Sequence, residues 1–475
     1  MLEERRGLWK RYLVGAVLVL LASASATGVA AFHEIDKVVN AFKHGNTISL
    51  PNELAQADNG KPQTVLLIGA DQRAPGAADY RAGARSDTMM LVRLDPSRRA
   101  TALMSVPRDL KVHIPGHGVD KLNAAYTYGG VKLTVRTIKL LTGLRINHVV
   151  NIDFRGFRKA VNALGCVYLD VDRHYYNESN AYAKINIQAG YQQICGPAAL
   201  DYVRYRHEDN DIIRAARQQD FLRQIKQQIG VGKLIDKRDQ LIHIFGQYTQ
   251  SDIGSATGVL RLLSLIVSSA SHPIHEIHFS ANLGPSYVTA SSKEVHKLAQ
   301  EFLGVTAPAP PALPRPSSRH GKHRSKRVPG LVNDSSVGRQ VALQLVSGGA
   351  RQLRLYYPRL LPSGATFLSP PRAYTGKTAG TRRPFNAYRM VMSTGQIGEY
   401  IGFQGLSWTN PPILRSPSAT VTIGHRKYML YRDGPRTRLV AWLSDGAAYW
   451  VSNTLSETLS ERQLLAIARS AKPLG

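Results

Sequence analysis

Acidic side chains are scarce in this chain: 33 Asp and Glu stand against 61 Lys and Arg, for a net charge of +28 and a pI near 10.2. So cationic a chain suits polyanionic partners, whether nucleic acid, acidic lipid head groups or cell-surface polymers. Cysteine is nearly absent, with two in 475 residues. That excludes a disulfide-dense scaffold, and two cysteines alone do not make a structural zinc site. The signatures of nucleic-acid binders are also missing, with no helix-turn-helix, zinc-finger or RNA-binding pattern. Nucleic acid is therefore not the expected partner. There is no long internal repeat, so a solenoid is excluded as well.

One long apolar run is present. "YLVGAVLVLLASASATGVAAF" (residues 12–32) carries no charge. About twenty residues rising ~1.5 Å each cross a hydrocarbon core of ~30 Å. Arg5, Arg6, Lys10 and Arg11 precede the run and hold that end in the cytoplasm. "ASASA" resembles a signal-peptide cleavage site, but the run is long for a signal peptide and reads as an uncleaved anchor. The rest of the chain is then extracytoplasmic. Cys166 and Cys195 both fall there, where an oxidising compartment permits them to pair; two free buried thiols are the alternative.

The length predicts two or three domains, and 43% hydrophobic residues are enough for packed cores. The expected division is a cytoplasmic tail (1–11), an anchor (12–32), a stalk (33–60), a central domain (61–305), a proline-rich then basic linker (306–335) and a carboxy-terminal unit (336–475). In that last unit, Val-, Tyr- and Trp-rich segments separated by Asp-Gly turns read as strands. An amphipathic helix capped by Ser460 follows, and no catalytic constellation is visible there.

Chemistry concentrates in the central domain. "TVLLIGAD" (64–71), "SDTMMLVRLDP" (86–96) and "ATALMSVPRD" (100–109) read as three strands, the last two joined by the tight "DPSRR" turn. If the first pairs antiparallel with the second, Asp71, Arg73, Arg85, Asp87, Arg108 and Asp109 converge at one sheet edge. Ligands of open α/β sheets sit at such strand ends. Clustered arginines call for an anion, and carboxylates among them suit a hard divalent cation.

Farther on, "PAALDYVRYRH" (197–207) predicts a short helix ending in Arg204 and Arg206. The acidic "EDND" loop follows, then a helix through "RAARQQDFLRQIKQQIG". At 100° per residue Arg214, Gln218, Phe221 and Ile225 share one arc, with Arg217 at its margin. The two polar groups thus continue a buried stripe at a helix start, a placement that suits an anion.

Together, "LLIGAD", "RSDTMMLVRLD", "SVPRDL", "KLNAAYTYGG", "VNIDFRGF" and "ALDYVRYRHEDNDIIRAARQQDFL" span residues 64–230. In this order, with the amino-terminal anchor, they resemble the LytR–CpsA–Psr family of bacterial envelope glycopolymer ligases. The resemblance implies an α/β/α three-layer sandwich around a mixed sheet. It also implies transfer of a phosphoglycosyl polymer from a polyprenyl pyrophosphate carrier to a peptidoglycan hydroxyl. By that likeness Asp71 and Asp87 would hold Mg2+. Arg73, Arg85, Arg108, Arg204, Arg206, Arg214 and Gln218 would grip the pyrophosphate, with Arg217 joining the catalytic group and Lys121 and Asn123 lining the rim. Asp109, Asp209 and Asp211 are candidate bases. One departure stands out: Ile212 and Ile213 occupy a place where the family often has Phe–Gly or Leu–Gly. A polyprenyl pyrophosphate hydrolase and a non-enzymatic polyanion-binding regulator remain as alternative readings.

Overall fold

A computed structural model describes the chain from residue 47 onward, without 57, 59, 71–85, 99, 179–183, 206, 254–264, 266–268, 270, 271, 273, 280, 305–327 and 348–352. The expected anchor, 12–32, lies outside the described residues. Among the described residues no helix is long and apolar enough to cross a membrane.

Three strands, β1 (Gln63–Ala70), β2 (Ser86–Asp95) and β3 (Ala100–Ser105), form the expected antiparallel meander, with Leu66 opposite Leu91 and Leu91 opposite Met104. The hairpin β4 (Lys111–Ile114) and β5 (Gly118–Lys121) leads into α1 (Ala124–Thr142). Next, β6 (His148–Asp153) lies parallel to β1. Then come α2 (Phe154–Ala163), β7 (Val167–Val171), β8 (Tyr175–Asn177), β9 (Ile185–Ile187), β10 (Gly190–Ile194), α3 (Gly196–Arg204) and α4 (Asp211–Gln228). After α5 (Val231–Asp236), α6 (Arg238–Tyr248) leads to the edge strand β11 (Thr249–Ser251). β12 (Ile274–Ile277) closes the other edge, parallel to β3, and α7 (Ser292–Gly304) ends the domain after the short strands β13 (Asn282–Leu283) and β14 (Val288–Thr289).

The main sheet is mixed and six-stranded, in the order β11-β6-β1-β2-β3-β12. Leu66, Ile68, Met89, Leu91, Met104, Val149 and Ile277 project from one face into a core shared with α1 and α7. The alternate residues Val65, Met90 and Leu103 are buried on the other face, which α2, α4 and α6 cover. Helices on both faces explain why the strands read as nearly unbroken apolar runs. Val131, Val135 and Ile138 of α1 go into this core. Cys166 and Cys195 are disulfide-bonded, tying the end of α2 to the start of α3. α3 crosses α2 so closely that a Cβ on Gly196 would overlap the Arg158 carbonyl.

The domain boundaries shift on both sides. Ile48 N donates to Ser251 O and Ala55 N to Ile146 O, and Leu50 is buried in the core, so the second half of the expected stalk belongs to the central domain. Likewise β15 (Leu331–Asn333), within the expected linker, pairs with β17 (Leu360–Pro362) of the carboxy-terminal unit. Backbone pairing drew in residues whose composition looked like tether.

That unit also contains α8 (Ser335–Ser347) and β16 (Tyr356–Tyr357). Its sheet comprises β18 (Thr366–Lys377), β19 (Pro384–Ser393), β20 (Tyr400–Leu406), β21 (Ala419–Ile423), β22 (Arg426–Asp433), β23 (Arg436–Ser444) and β24 (Ala447–Ser452). They run antiparallel in the order β18-β19-β20-β24-β23-β22-β21. Asp445 and Gly446 take positive φ at the β23–β24 turn, as the Asp-Gly signal predicts. α9 (Glu461–Ser470) carries the expected Ser460 cap within a full capping box, and β25 (Lys472–Pro473) pairs with β16. α8 and α9 cover one face of the sheet. The other face is not solvated: Phe385, Leu406, Leu439 and Trp450 share an apolar cluster with Tyr168 and Tyr191 of the central domain.

Candidate active site

The meander brings the start of β2 and the loop after β3 to one edge of the sheet. There Asp87 Oδ1 accepts from Arg108 Nη1 at 2.5 Å, and Asp87 Oδ2 lies 3.1 Å from Arg204 Nη2. Arg204 comes from the end of α3, and its guanidinium is 3.9 Å from the centre of the Phe154 ring. Flat guanidinium stacks well on an aromatic face while keeping its edge donors available.

α4 supplies the third wall. Asn210 caps it by accepting from Ile213 N at 2.9 Å. Asp211, in the first turn, accepts from Asp109 N at 3.0 Å and pairs with Arg214 at 2.5 Å. Arg214 is buried; desolvation lowers its pKa from the usual arginine value, Asp211 opposes that and Arg108 adds to it. A guanidinium starts so far above neutrality that it stays charged. Gln218, one turn along, donates to Thr88 Oγ1 at 2.9 Å and to Val203 O at 3.1 Å, bracing α4 against β2 and α3.

Beside this cluster opens a cavity of about 390 Å³ lined by Arg108, Asp109, Asp120, Lys121, Asn123 and Tyr128, among others. Lys121 Nζ lies 3.2 Å from Asp109 Oδ1, and Asn123 N donates to Arg108 O at 3.0 Å. Tyr128 donates to Asp120 and stacks on His117 with centroids 4.6 Å apart.

Of the strand-end residues, Asp87, Arg108 and Asp109 lie at this edge, and Lys121, Asn123, Arg204, Arg214 and Gln218 are placed around them. Asp71, Arg73, Arg85 and Arg206 lie outside the described residues. Arg217, expected among the catalytic groups, is elsewhere. It is fully buried, pairs with Asp209 at 2.7 Å and donates to Tyr205 O at 2.8 Å. Asp209, a candidate base, is equally enclosed between Arg217 and Arg173, the latter at 2.8 Å. Asp209 has no exposed side-chain surface and does not line the cavity. Arg173 and the Tyr175, Tyr202 and Tyr205 rings around this pair went unnoticed in the sequence. The only local hint was the aromatic content of "YVRY".

Asp87 is the described member of the expected metal pair; its Oδ1 accepts from Arg108, and its Oδ2 faces both Nε and Nη2 of Arg204, at 3.2 and 3.1 Å, so spare lone-pair capacity rests with Oδ1. Among the described residues no group of three or more acidic, His or Cys side chains could hold a metal. A second carboxylate, as expected of Asp71, would be needed from outside them.

Fixed cations from a strand end and two helices, converging with carboxylates beside a polar cavity, suit a phosphate-bearing ligand. The LytR_cpsA_psr family profile matches residues 26–302, and the chain belongs to that family. It is similar to the polyisoprenyl-teichoic acid–peptidoglycan teichoic acid transferase TagT of Bacillus subtilis, 30% identical over 62% of this chain and 95% of that protein. The probable cell wall biosynthesis protein LcpB of Corynebacterium glutamicum is 39% identical over 35% of this chain and 42% of its own length. Among solved structures, TagV of B. subtilis aligns with a TM-score of 0.42 at 28% identity, covering 52% of this chain and all of that one.

Proposed function

We propose that this protein moves a phosphoglycosyl polymer from a polyprenyl pyrophosphate carrier onto a hydroxyl of peptidoglycan. The observation that carries the reading is the convergence of Arg108, Arg204 and Arg214, from three separate elements, around Asp87 and Asp211. TagT, named as a polyisoprenyl-teichoic acid–peptidoglycan teichoic acid transferase, has an activity of this kind. The 12–32 segment would anchor the chain in one pass with its amino terminus in the cytoplasm, keeping the site beside the lipid carrier outside.

Phosphoryl transfer asks for positioning and charge neutralisation more than for a strong nucleophile. Arg108, Arg204 and Arg214 hold the pyrophosphate oxygens, exchanging part of their pairing with Asp87 and Asp211 for the substrate. The glycan acceptor enters by the cavity. Its hydroxyl oxygen bonds to the glycan-bearing phosphorus as the bond to the bridging oxygen breaks, and polyprenyl phosphate leaves. Of the three candidate bases, Asp109 alone lines that cavity, so Asp109 takes the hydroxyl proton. Asp87, with Asp71, would hold magnesium, which would supply charge neutralisation for the pyrophosphate.

The test uses full-length protein in membranes with a polyprenyl pyrophosphate-linked glycan, with and without a glycan acceptor. Attachment to the acceptor is expected, with little release in its absence. Arg108→Ala and Arg214→Ala should each reduce transfer by about 10²–10³-fold and leave the circular dichroism spectrum unchanged. Equal glycan phosphate release without acceptor would instead identify a hydrolase.

A further inference from the structure

The carboxy-terminal sheet reaches the catalytic loop itself. The turn between β19 and β20 carries Gly398, at φ +80°, and leads into Tyr400. A Cβ on Gly398 would overlap Ile213 Cδ1, so the turn lies directly against the third residue of α4. Two residues on, the Tyr400 ring sits 5.0 Å from the Arg173 guanidinium. Arg173 in turn grips two acidic residues of the loop, Glu208 at 2.5 Å and Asp209 at 2.8 Å. The turn thus meets Ile213 directly and Glu208 and Asp209 through Arg173, in the segment that carries Asp211 and Arg214.

We propose that Gly398 and Tyr400 are positioning residues for the pyrophosphate site, and that the carboxy-terminal unit completes the catalytic domain by holding the 208–213 loop. This rests on the assignment of Arg214 as a phosphate ligand. It also gives a physical account of Ile212–Ile213. A β-branched side chain at the third helical position needs a cover, and Ile213 is buried with Gly398 against it. Only glycine leaves room there, and positive φ favours it independently. The same unit meets the central domain at further points. Arg389 pairs with Asp170 at 2.9 Å, Arg223 with Asp433 at 3.4 Å, and Tyr168 and Tyr191 join the Trp450 cluster.

The experiment compares full-length wild type, Gly398→Ala, Tyr400→Leu and Gly398→Ala/Ile213→Ala. Amide hydrogen exchange over 207–214 should accelerate at least about tenfold in both single variants and return towards wild type in the double variant. In the transfer assay kcat/KM for the donor should fall about ten- to a hundredfold, with a raised donor KM contributing, since the misplaced Arg214 holds the pyrophosphate. Unchanged exchange over 207–214 in both single variants overturns the proposal whatever the enzyme assay gives. So does faster exchange spread over the whole carboxy-terminal sheet in Tyr400→Leu without a local effect. Wild type that transfers nothing, with local exchange still accelerated, leaves the positioning role standing and removes the transferase reading.

Discussion

Arg214 and Arg217 stand three residues apart on one helix and do opposite jobs. Arg214 lies beside Arg108 and Asp211 at the site; Arg217 has no exposed surface and neutralises Asp209 beneath it. The arc of about 60° that holds Arg214, Gln218 and Phe221 was legible because inward-facing polar groups interrupt an apolar stripe. Arg217, at the margin of that arc, could have gone either way, and the partner 8 residues back decided it. Removing one member of a buried pair leaves an uncompensated charge, at about 3–5 kcal/mol. Arg217→Met should therefore lower unfolding stability by roughly that amount, read from urea midpoints. Arg108, partly exposed and facing a second arginine across Asp87, should be replaceable by Ala with little change in midpoint. The opposite ranking would reverse the two roles.

The acidic loop and α4 form an element whose composition suggested a solvated charged turn. Each of its carboxylates instead has a cation: Glu208 and Asp209 have Arg173, and Asp211 has Arg214. Asn210 closes the helix start. The loop is anchored from behind by α3, whose own start is tied to α2 by the Cys166–Cys195 bond across a sequence separation of 29. Closing a loop of that length removes about 3–4 kcal/mol of unfolded-chain entropy in the chain-entropy model. Cys166→Ser/Cys195→Ser should lose a comparable amount in chemical denaturation. Reductant should lower the stability of the wild type and not of the double variant; insensitivity of both would mean that the bond contributes nothing.

At the scale of the molecule, the two sheets are joined through buried charge. Arg223 of α4 faces Asp220, Glu276, Asp433 and Glu457, with Arg438 close by. Carboxylates outnumber cations here, and burial raises the pKa of Glu276 and Asp433 and lifts Glu457 to about 7, with Asp433 reinforcing it. A carboxyl whose folded pKa exceeds its unfolded 4.5 gives stability that is complete below 4.5 and is lost as pH rises through about 7. His278, lowered to about 4 by burial, works the other way below 6.5. Stability should therefore fall between about pH 6.5 and 7.5, and Glu457→Gln should flatten that decline in pH-dependent unfolding. An identical slope in the variant would remove Glu457 from the linkage.

The sequence by itself determined the meander of three strands, the arginine helix, the capped final helix and the edge where the site forms. Each of these follows from periodicity, turn chemistry or capping within a few residues. Tertiary structure alone decided which arginine reaches the cavity and which is consumed in the core. It also decided that the carboxy-terminal sheet is seated on the central domain, with a glycine turn against Ile213. A charge's role depends on its partner and on its access to water, and both are set by segments that meet only when the chain has folded.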